Sequence, residues 1–303
     1  MANPLSARPV PDEVAVKTYL YLRLSIIMSV VLLAFSLTGE ITRGVGWLGS
    51  ISAYYYTPVR SIFVAVIVGT GFALVAIKGR PGPEDTFLNL AGMLAPLVAF
   101  VPTPVSPTRD LPCPGGHARC VPAEFVPGIE NNVYALLAIG VVVLGVAYAT
   151  AARDARPDPW TRRGFGVSVA IWLAFLGWFG FGEGWVLRDS FLRAAHYAAA
   201  IPMFLLIVAV VFINASRSDP DHTLTVAGRT TDYRPVYRLI AWCMLGSAAV
   251  VGIGALATSR ADADIAWVFL IEAALLALFA AFWVFQGIEY REAGAPAEAL
   301  ASE

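Results

Sequence analysis

Residues 264–288, DIAWVFLIEAALLALFAAFWVFQGI, decide the fold class of this chain. A stretch of this length and apolarity crosses about 30 Å of hydrocarbon as an α-helix, which needs about 20 apolar residues. Similar stretches precede it at residues 19–39, 59–78, 86–104, 131–152, 164–183, 193–213 and 236–258. These stretches lack the alternation of apolar and polar residues that barrel strands show. Because lipid cannot hydrogen-bond backbone N–H and C=O groups, each stretch must pair them internally, as a helix does. We therefore predict an all-α fold, a polytopic transmembrane helix bundle with about eight spans.

The composition supports a membrane protein and excludes a nucleic-acid partner. Hydrophobic residues make up 58% of the chain and the mean hydropathy is +0.68, whereas soluble domains contain about 45–50% apolar residues. Charged residues amount to 14% and cluster between the apolar stretches. The formal net charge is −1, and no lysine- or arginine-rich block could neutralise phosphates. The expected surrounding partner is membrane lipid.

Lysine and arginine predict the orientation, because basic residues that flank spans are retained in the cytoplasm. With the N-terminus inside, fourteen of the 21 basic residues fall on the cytoplasmic side. These are Arg8, Lys17, Arg23, Lys78, Arg80, Arg153, Arg156, Arg162, Arg163, Arg217, Arg229, Arg234, Arg238 and Arg291. The outer side holds Arg43, Arg60, Arg109, Arg119, Arg188, Arg193 and Arg260. An even number of spans then returns the C-terminus to the cytoplasm.

The remaining segments are short, so we expect one membrane domain at residues 19–288. Residues 1–18 form a cytoplasmic N-terminal segment in this prediction. The polar stretches 152–163 and 216–235 are turn-rich linkers without a core of their own. The small, acidic tail at 289–303 is predicted to be disordered and cytoplasmic.

Two cysteines lie in the connection DLPCPGGHARC, which the charge distribution places outside, where thiols can oxidise. We predict a disulfide between Cys113 and Cys120, with Gly115 and Gly116 letting the short loop close. The alternative is a metal site that adds His117, although three ligands at this spacing match no closed zinc pattern with four. We expect no metal and no cofactor. Cys243, inside the seventh span, is predicted to be a small buried side chain.

A polar, aromatic loop runs directly into the second span, in GWLGSISAYYYTPVRSIFVAVIVGTGFALVAIKG, residues 46–79. Its three adjacent tyrosines suit the outer membrane interface, where an amphipathic ring lies between headgroups and hydrocarbon. One interpretation is an aromatic belt followed by a helix start. The other is a polar pocket lined by Ser50, Ser52, Thr57 and the tyrosines.

SISAYYYTPVRSIFV, residues 50–64, resembles the signature of a family of uncharacterised bacterial, largely actinobacterial, multi-pass membrane proteins. Further similar pieces are EDTFLNLAGMLAPLVAFVPT at 84–103, LRAAHYAAAIPMFLLIVAVVF at 192–212, YRPVYRLIAWCML at 233–245 and VFLIEAALLALFAAFWVFQGIE at 268–289. The resemblance implies a bacterial cell (plasma) membrane location and no known activity. A looser similarity, confined to the loop and second span, is to Frag1/DRAM/Sfk1-like membrane proteins, which also place an Ile-Ser turn and a proline before that helix.

Ionisable side chains inside a membrane are costly, so each is a functional candidate. Glu272 lies about eight residues, or roughly 12 Å, into the last span. His196 lies about one turn inside the sixth span, with Asp189 and Arg193 on the same helical side, and Glu183 ends the fifth. We expect these side chains to form an outward-facing polar pocket near the loop that carries the three tyrosines. The alternative is that they make interhelical hydrogen bonds that only fix the packing of the helices. The candidate ligand-binding residues are Ser52, Tyr54, Tyr55, Tyr56, Glu183, Arg193, His196 and Glu272.

Three functions remain open at this point. The pocket could bind or move a lipid or a small polar ligand; the chain could instead be a non-catalytic scaffold, sensor or partner subunit that binds another membrane protein. A membrane-embedded hydrolase is the least favoured, because its zinc needs several histidines and only His196 lies in a span. Small residues permit close helix packing, within the chain or with a partner. They are Gly140, Gly145, Gly166, Gly177, Gly246, Gly252 and Gly254.

Overall fold

A computed structural model describes residues 13–107, 113, 118–151, 158–180, 185–216, 223–226, 229–258 and 266–293. Within these residues the chain forms eight α-helices, each of which overlaps one of the predicted apolar stretches. They are α1 Glu13–Glu40, α2 Arg60–Ala76, α3 Pro83–Phe100, α4 Val126–Ala151, α5 Pro159–Gly180, α6 Trp185–Ser216, α7 Arg234–Thr258 and α8 Ala266–Ala293. The predicted all-α helix bundle is confirmed.

The outer surface of the bundle is apolar. Phe35, Phe72, Val143, Tyr148 and Trp242 are each more than half exposed, a density of exposed apolar side chains that soluble proteins avoid. In the described part of the chain, five helices are long and apolar enough to cross a membrane. These segments are Lys17–Val45, Val126–Ala151, Pro159–Gly180, Arg188–Ser216 and Val268–Glu289. The chain is therefore a membrane protein, and lipid would solvate its exposed apolar surface.

Among the described helices, six form a closed ring in the order α1, α2, α3, α6, α7 and α8, with α8 packing against α1. We call this arrangement the six-helix ring. α4 and α5 lie outside it, packed against each other and against α3. Since α3 has neighbours on both sides, its Leu88, Ala91, Leu94, Leu97 and Val98 are all buried.

Glycine and proline determine where α1 ends and α3 begins. After α1, a π-helical turn at Ile41–Val45 contains Gly44 with φ of +109°, and Gly46 follows with φ of +74°. Both values lie in the left-handed region that favours glycine, so they turn the chain out of the helix. Gly82, with φ of +118°, precedes α3, and Pro83 occupies the first helical position, which proline suits.

The structure departs from the sequence predictions in three places. The linker at 216–235 contains an antiparallel pair of strands, β1 Thr223–Val226 and β2 Arg229–Asp232, because its threonines and valine favour an extended backbone. α8 continues to Ala293, past the predicted end of the membrane domain. The prediction that Cys243 is buried is wrong, because it lies on the outer face of α7, near the exposed Trp242.

The predicted disulfide is confirmed. Cys113 and Cys120 are bonded, with their Cα atoms 5.7 Å apart. Cys120 also exchanges two backbone hydrogen bonds with Val105, at 2.9 and 3.0 Å, which fixes the end of this connection beside the segment that follows α3. His117 and the Gly115–Gly116 pair lie outside the described residues.

Candidate functional site

The tyrosine loop, residues 46–59, is a folded cap at one end of the six-helix ring. Its Ser52–Tyr56 segment forms a 3-10 helix. The Tyr54 hydroxyl donates to the Gly46 carbonyl at 2.8 Å and accepts from the Leu48 N–H at 3.2 Å. The ring of Tyr54 is fully buried and packs against Phe269 of α8, with centroids 5.7 Å apart. Tyr54 therefore closes the loop and anchors it to α8.

A cluster of hydroxyl groups joins the tyrosine loop to the segment after α3. The Thr103 hydroxyl lies 2.6 Å from the Ser52 hydroxyl and 3.1 Å from that of Ser50. The Tyr56 hydroxyl donates to the Thr103 carbonyl at 3.0 Å. Burial raises the pKa of Tyr56 far above its ordinary value, so this hydroxyl remains a donor at neutral pH. These bonds give the loop a fixed position over the ring.

Glu272 of α8 is bonded to the same loop. Its Oε2 accepts the backbone N–H of Ile51 at 2.6 Å. Ile51 is buried, so without the carboxylate its N–H would be an unpaired donor away from water, which costs roughly 1–3 kcal/mol. Glu272 thus satisfies the backbone at the point where the 3-10 helix begins.

His196 of α6 occupies the facing wall. It is buried, and its Nδ1 lies 2.7 Å from the Val101 carbonyl at the end of α3. Because a carbonyl only accepts, Nδ1 is the donor in this hydrogen bond. A neutral imidazole then presents Nε2 as an acceptor.

Ser52, His196 and Glu272 line one cavity inside the six-helix ring. The cavity measures about 90 Å³ and is partly open. Apart from these three residues and Thr70, its walls are apolar and come from α1, α2, α3, α6 and α8. Its apolar lining includes Val30, Phe63, Val98, Ala200, Ile207 and Phe279. The site is therefore an apolar cavity with polar groups concentrated at the end under the tyrosine loop.

The other predicted site residues lie away from this cavity. Tyr54, Tyr55 and Tyr56 are part of the cap, and none of them lines the cavity. Arg193 forms an ion pair with Asp189 one helical turn earlier, at 2.5 Å, and both side chains are partly exposed. Glu183 lies outside the described residues.

A buried polar chain at the opposite end of the ring was missed by the sequence analysis. Arg23 of α1 donates to the Gln286 side-chain oxygen at 3.2 Å, and the Gln286 amide donates to the Asn214 oxygen at 3.4 Å. The Asn214 amide in turn donates to Glu84 of α3 at 3.1 Å. All four residues are buried. We call this chain the inner network; it joins α1, α8, α6 and α3.

A further buried pair lies at the same end, where the Tyr237 hydroxyl of α7 donates to the Glu289 carboxylate of α8. The signal for these contacts in the sequence is weak. Asn214 and Gln286 are single amides near the ends of apolar stretches, and nothing in their spacing shows that they meet. Only the packing of α6 against its neighbours identifies the inner network.

Among the described residues, no group of three or more histidine, cysteine, aspartate or glutamate side chains is arranged to hold a metal ion. His196 and Glu272 each make a hydrogen bond at the wall of the cavity. No protein-family model, curated protein or solved structure matches this chain.

Proposed function

We propose that this protein binds a membrane lipid at the six-helix ring, with the lipid's polar end under the tyrosine loop and the first few carbons of its apolar chain in the cavity of about 90 Å³. The observation that supports this proposal is the distribution of polar groups in the cavity. Glu272, His196 and Ser52 are concentrated near one end, and the rest of the wall is apolar apart from Thr70. An amphiphile has the same distribution, whereas a small polar ligand would leave most of this wall unmatched.

The polar end must supply the selectivity in this proposal. A lipid chain that leaves the bilayer for the cavity exchanges one apolar surrounding for another, so burial itself contributes little free energy. Hydrogen bonds to the Glu272 carboxylate and the His196 Nε2 acceptor would discriminate between polar ends that donate and those that do not. We therefore expect the bound lipid to carry hydroxyl or amine donors.

The proposal also includes the topology: eight spans in a bacterial cell membrane, with both termini cytoplasmic. The arginine distribution supports it, as does the position of the disulfide at the tyrosine-loop end, since Val105 and Thr103 lie in one short segment. We expect mass spectrometry of protein alkylated in intact cells without reductant to find Cys113 and Cys120 unlabelled, because an external loop oxidises. Cys243 provides a single-thiol control after solubilisation. Two free thiols in the external loop would contradict the orientation.

Filling the cavity is the direct test of lipid binding. Ala200 lines the cavity, so Ala200→Phe would place a ring in space of about 90 Å³. We expect about tenfold less lipid to be retained by the purified variant, because an overpacking cost of roughly 1–3 kcal/mol corresponds to about 5- to 150-fold. Native mass spectrometry with lipid extraction measures the retained lipid.

Ala198→Phe is the matched control, because Ala198 lies on the same helix but is exposed on its outer surface. This variant adds the same side-chain volume outside the cavity, so it should retain as much lipid as the unmodified protein. Equal lipid in the two variants, or none in the unmodified protein, would contradict the proposal. A constant co-purifying protein without lipid would favour the alternative, a scaffold or partner subunit.

A further inference from the structure

A second cavity lies between α2 and α4, at the tyrosine-loop end of the bundle. It is an open groove of about 500 Å³, which we call the lateral groove. Its polar lining consists of Tyr55, Arg60, Ser61, Asn131 and Asn132. α2 separates it from the first cavity, because Phe63, Val66 and Leu74 on the other face of that helix line the first cavity. A ligand in one cavity would not touch the residues that hold a ligand in the other.

Arg60 is held in position by aromatic rings and not by a carboxylate. Its guanidinium carbon lies 5.7 Å from the ring centroid of Tyr55 and 5.2 Å from that of Phe125. Within the described residues no carboxylate pairs with it, and Glu130, next to Asn131 in the sequence, is bonded to Arg188 at 2.7 Å. Stacking against rings fixes a planar guanidinium and leaves its N–H edge available for an acceptor.

Within the described residues, the other polar side chains of the lateral groove make no hydrogen bonds. Tyr55 is 4% exposed, and its hydroxyl makes no hydrogen bond to any described residue. Burial raises the pKa of Tyr55, although Arg60 opposes this effect, so the hydroxyl is a donor at neutral pH. The side chains of Ser61, Asn131 and Asn132 likewise make no hydrogen bond within the described part of the chain. Of these groups Tyr55 is the buried one, so its unbonded hydroxyl is the group that a ligand in the lateral groove would satisfy.

The backbone adds positive potential at the same place. α2 begins at Arg60 and α4 at Val126, so the lateral groove contacts the first turns of two helices. The N–H groups of Arg60, Phe63, Val126 and Ile129 are already bonded within the chain. The backbone therefore contributes the dipoles of the two helix N-termini, which favour anions. A guanidinium, a phenol, a serine hydroxyl and two amides, all donors, converge on this region.

We infer that the lateral groove binds a phosphate group, carried by the headgroup of an anionic phospholipid or by free phosphate. Arg60 supplies the charge, and Tyr55, Ser61 and the two asparagines supply further donors to the phosphate oxygens. Val64 and Ala65, one turn further along α2, line the same groove and would contact the first part of a lipid chain. This inference does not depend on the lipid proposed for the six-helix ring.

The experiment compares retention of phosphatidylglycerol and phosphatidylcholine by the purified full-length protein in mixed micelles, measured by native mass spectrometry. We expect phosphatidylglycerol to be preferred, and Arg60→Gln to lower its retention about tenfold, as the loss of one charge-assisted contact predicts. Arg43→Gln is the matched control, because Arg43 is an exposed arginine in the connection before α2 and outside the lateral groove. Asn131→Ala should give a smaller loss with the fold unchanged.

A second arm distinguishes the source of the phosphate. If inorganic phosphate raises the melting temperature of the unmodified protein but not of Arg60→Gln, and neither lipid is preferred, the groove binds free phosphate. If phosphatidylglycerol is preferred and phosphate has no effect, the groove binds the lipid headgroup. Equal losses in Arg60→Gln and Arg43→Gln, or neither a lipid preference nor a phosphate effect, would overturn the inference. Ala200→Phe should lower total lipid retention through the first cavity, but it should leave the loss caused by Arg60→Gln and the phosphate-induced shift in melting temperature unchanged, which separates this test from that of the first cavity.

Discussion

Gly92→Ala is expected to lower the free energy of unfolding by about 3 kcal/mol, at the upper end of the usual cost of overpacking. Gly92 of α3 faces Gly71 of α2 where the two helices cross. A Cβ atom at position 92 would lie 2.5 Å from the Gly71 carbonyl oxygen and 2.7 Å from Val75. Because the nearest atom belongs to the backbone, no rotamer change can relieve the overlap, and the helices must separate. Thermal or denaturant unfolding of the purified protein measures the loss.

The same crossing predicts a matched comparison on α2. A Cβ atom at Gly71 would lie 2.8 Å from the Gly92 carbonyl oxygen and 2.9 Å from the Ala95 Cβ, whereas one at Gly69 would meet nothing within 4 Å. Alanine has the better helix propensity at both positions, by about 1 kcal/mol. Gly69→Ala should therefore leave stability unchanged or raised, while Gly71→Ala should be destabilised like Gly92→Ala. Equal stabilities of the two α2 variants would show that the helices do not approach this closely.

The helices could be predicted from the sequence, but this crossing could not. Hydropathy and length are local properties, so each apolar stretch indicates its own helix. The partners of a helix depend on side chains from distant segments. Of the glycines predicted to pack closely, Gly140 meets the Trp172 side chain, but Gly145, Gly166, Gly177 and Gly246 have open space around them. The surroundings of Gly252 and Gly254 are outside the part of the structure that is described. The close pair on α2 and α3 has no distinctive spacing.

The candidate site could be predicted only in part, because the sequence indicates local properties and not the contacts between distant segments. Depth along a helix can be counted from the sequence, which is why His196 and Glu272 were expected near one end of the bundle, and both line the same cavity. The direction of a side chain in a loop cannot be counted in this way. The Tyr54 hydroxyl donates to the Gly46 carbonyl of the cap, and the Tyr56 hydroxyl donates to the Thr103 carbonyl after α3; both contacts depend on how the loop folds.

Glu272→Ala is expected to lose most of the lipid bound in the six-helix ring, by about tenfold or more, and to destabilise the protein by roughly 1–3 kcal/mol. The carboxylate has two roles in this structure. It accepts the Ile51 N–H at 2.6 Å, which holds the tyrosine loop on the ring, and it lines the cavity. Removing it leaves a buried backbone donor unpaired and also removes an acceptor for the lipid's polar end. Unfolding curves and retained lipid, measured on the same preparation, report the two losses.

Glu272→Gln separates the two roles, because an amide oxygen can still accept the Ile51 N–H in the same geometry. We expect its stability to remain within about 1 kcal/mol of the unmodified protein. Lipid retention should nevertheless fall, since the amide puts an NH₂ donor in place of the second carboxyl oxygen, and a donor cannot accept the hydrogen of a hydroxyl or amine. If Glu272→Gln retains lipid fully while Glu272→Ala loses both lipid and stability, then Glu272 acts by positioning the loop and its second carboxyl oxygen has no part in binding. If both variants retain lipid, the polar end of the cavity does not hold the lipid.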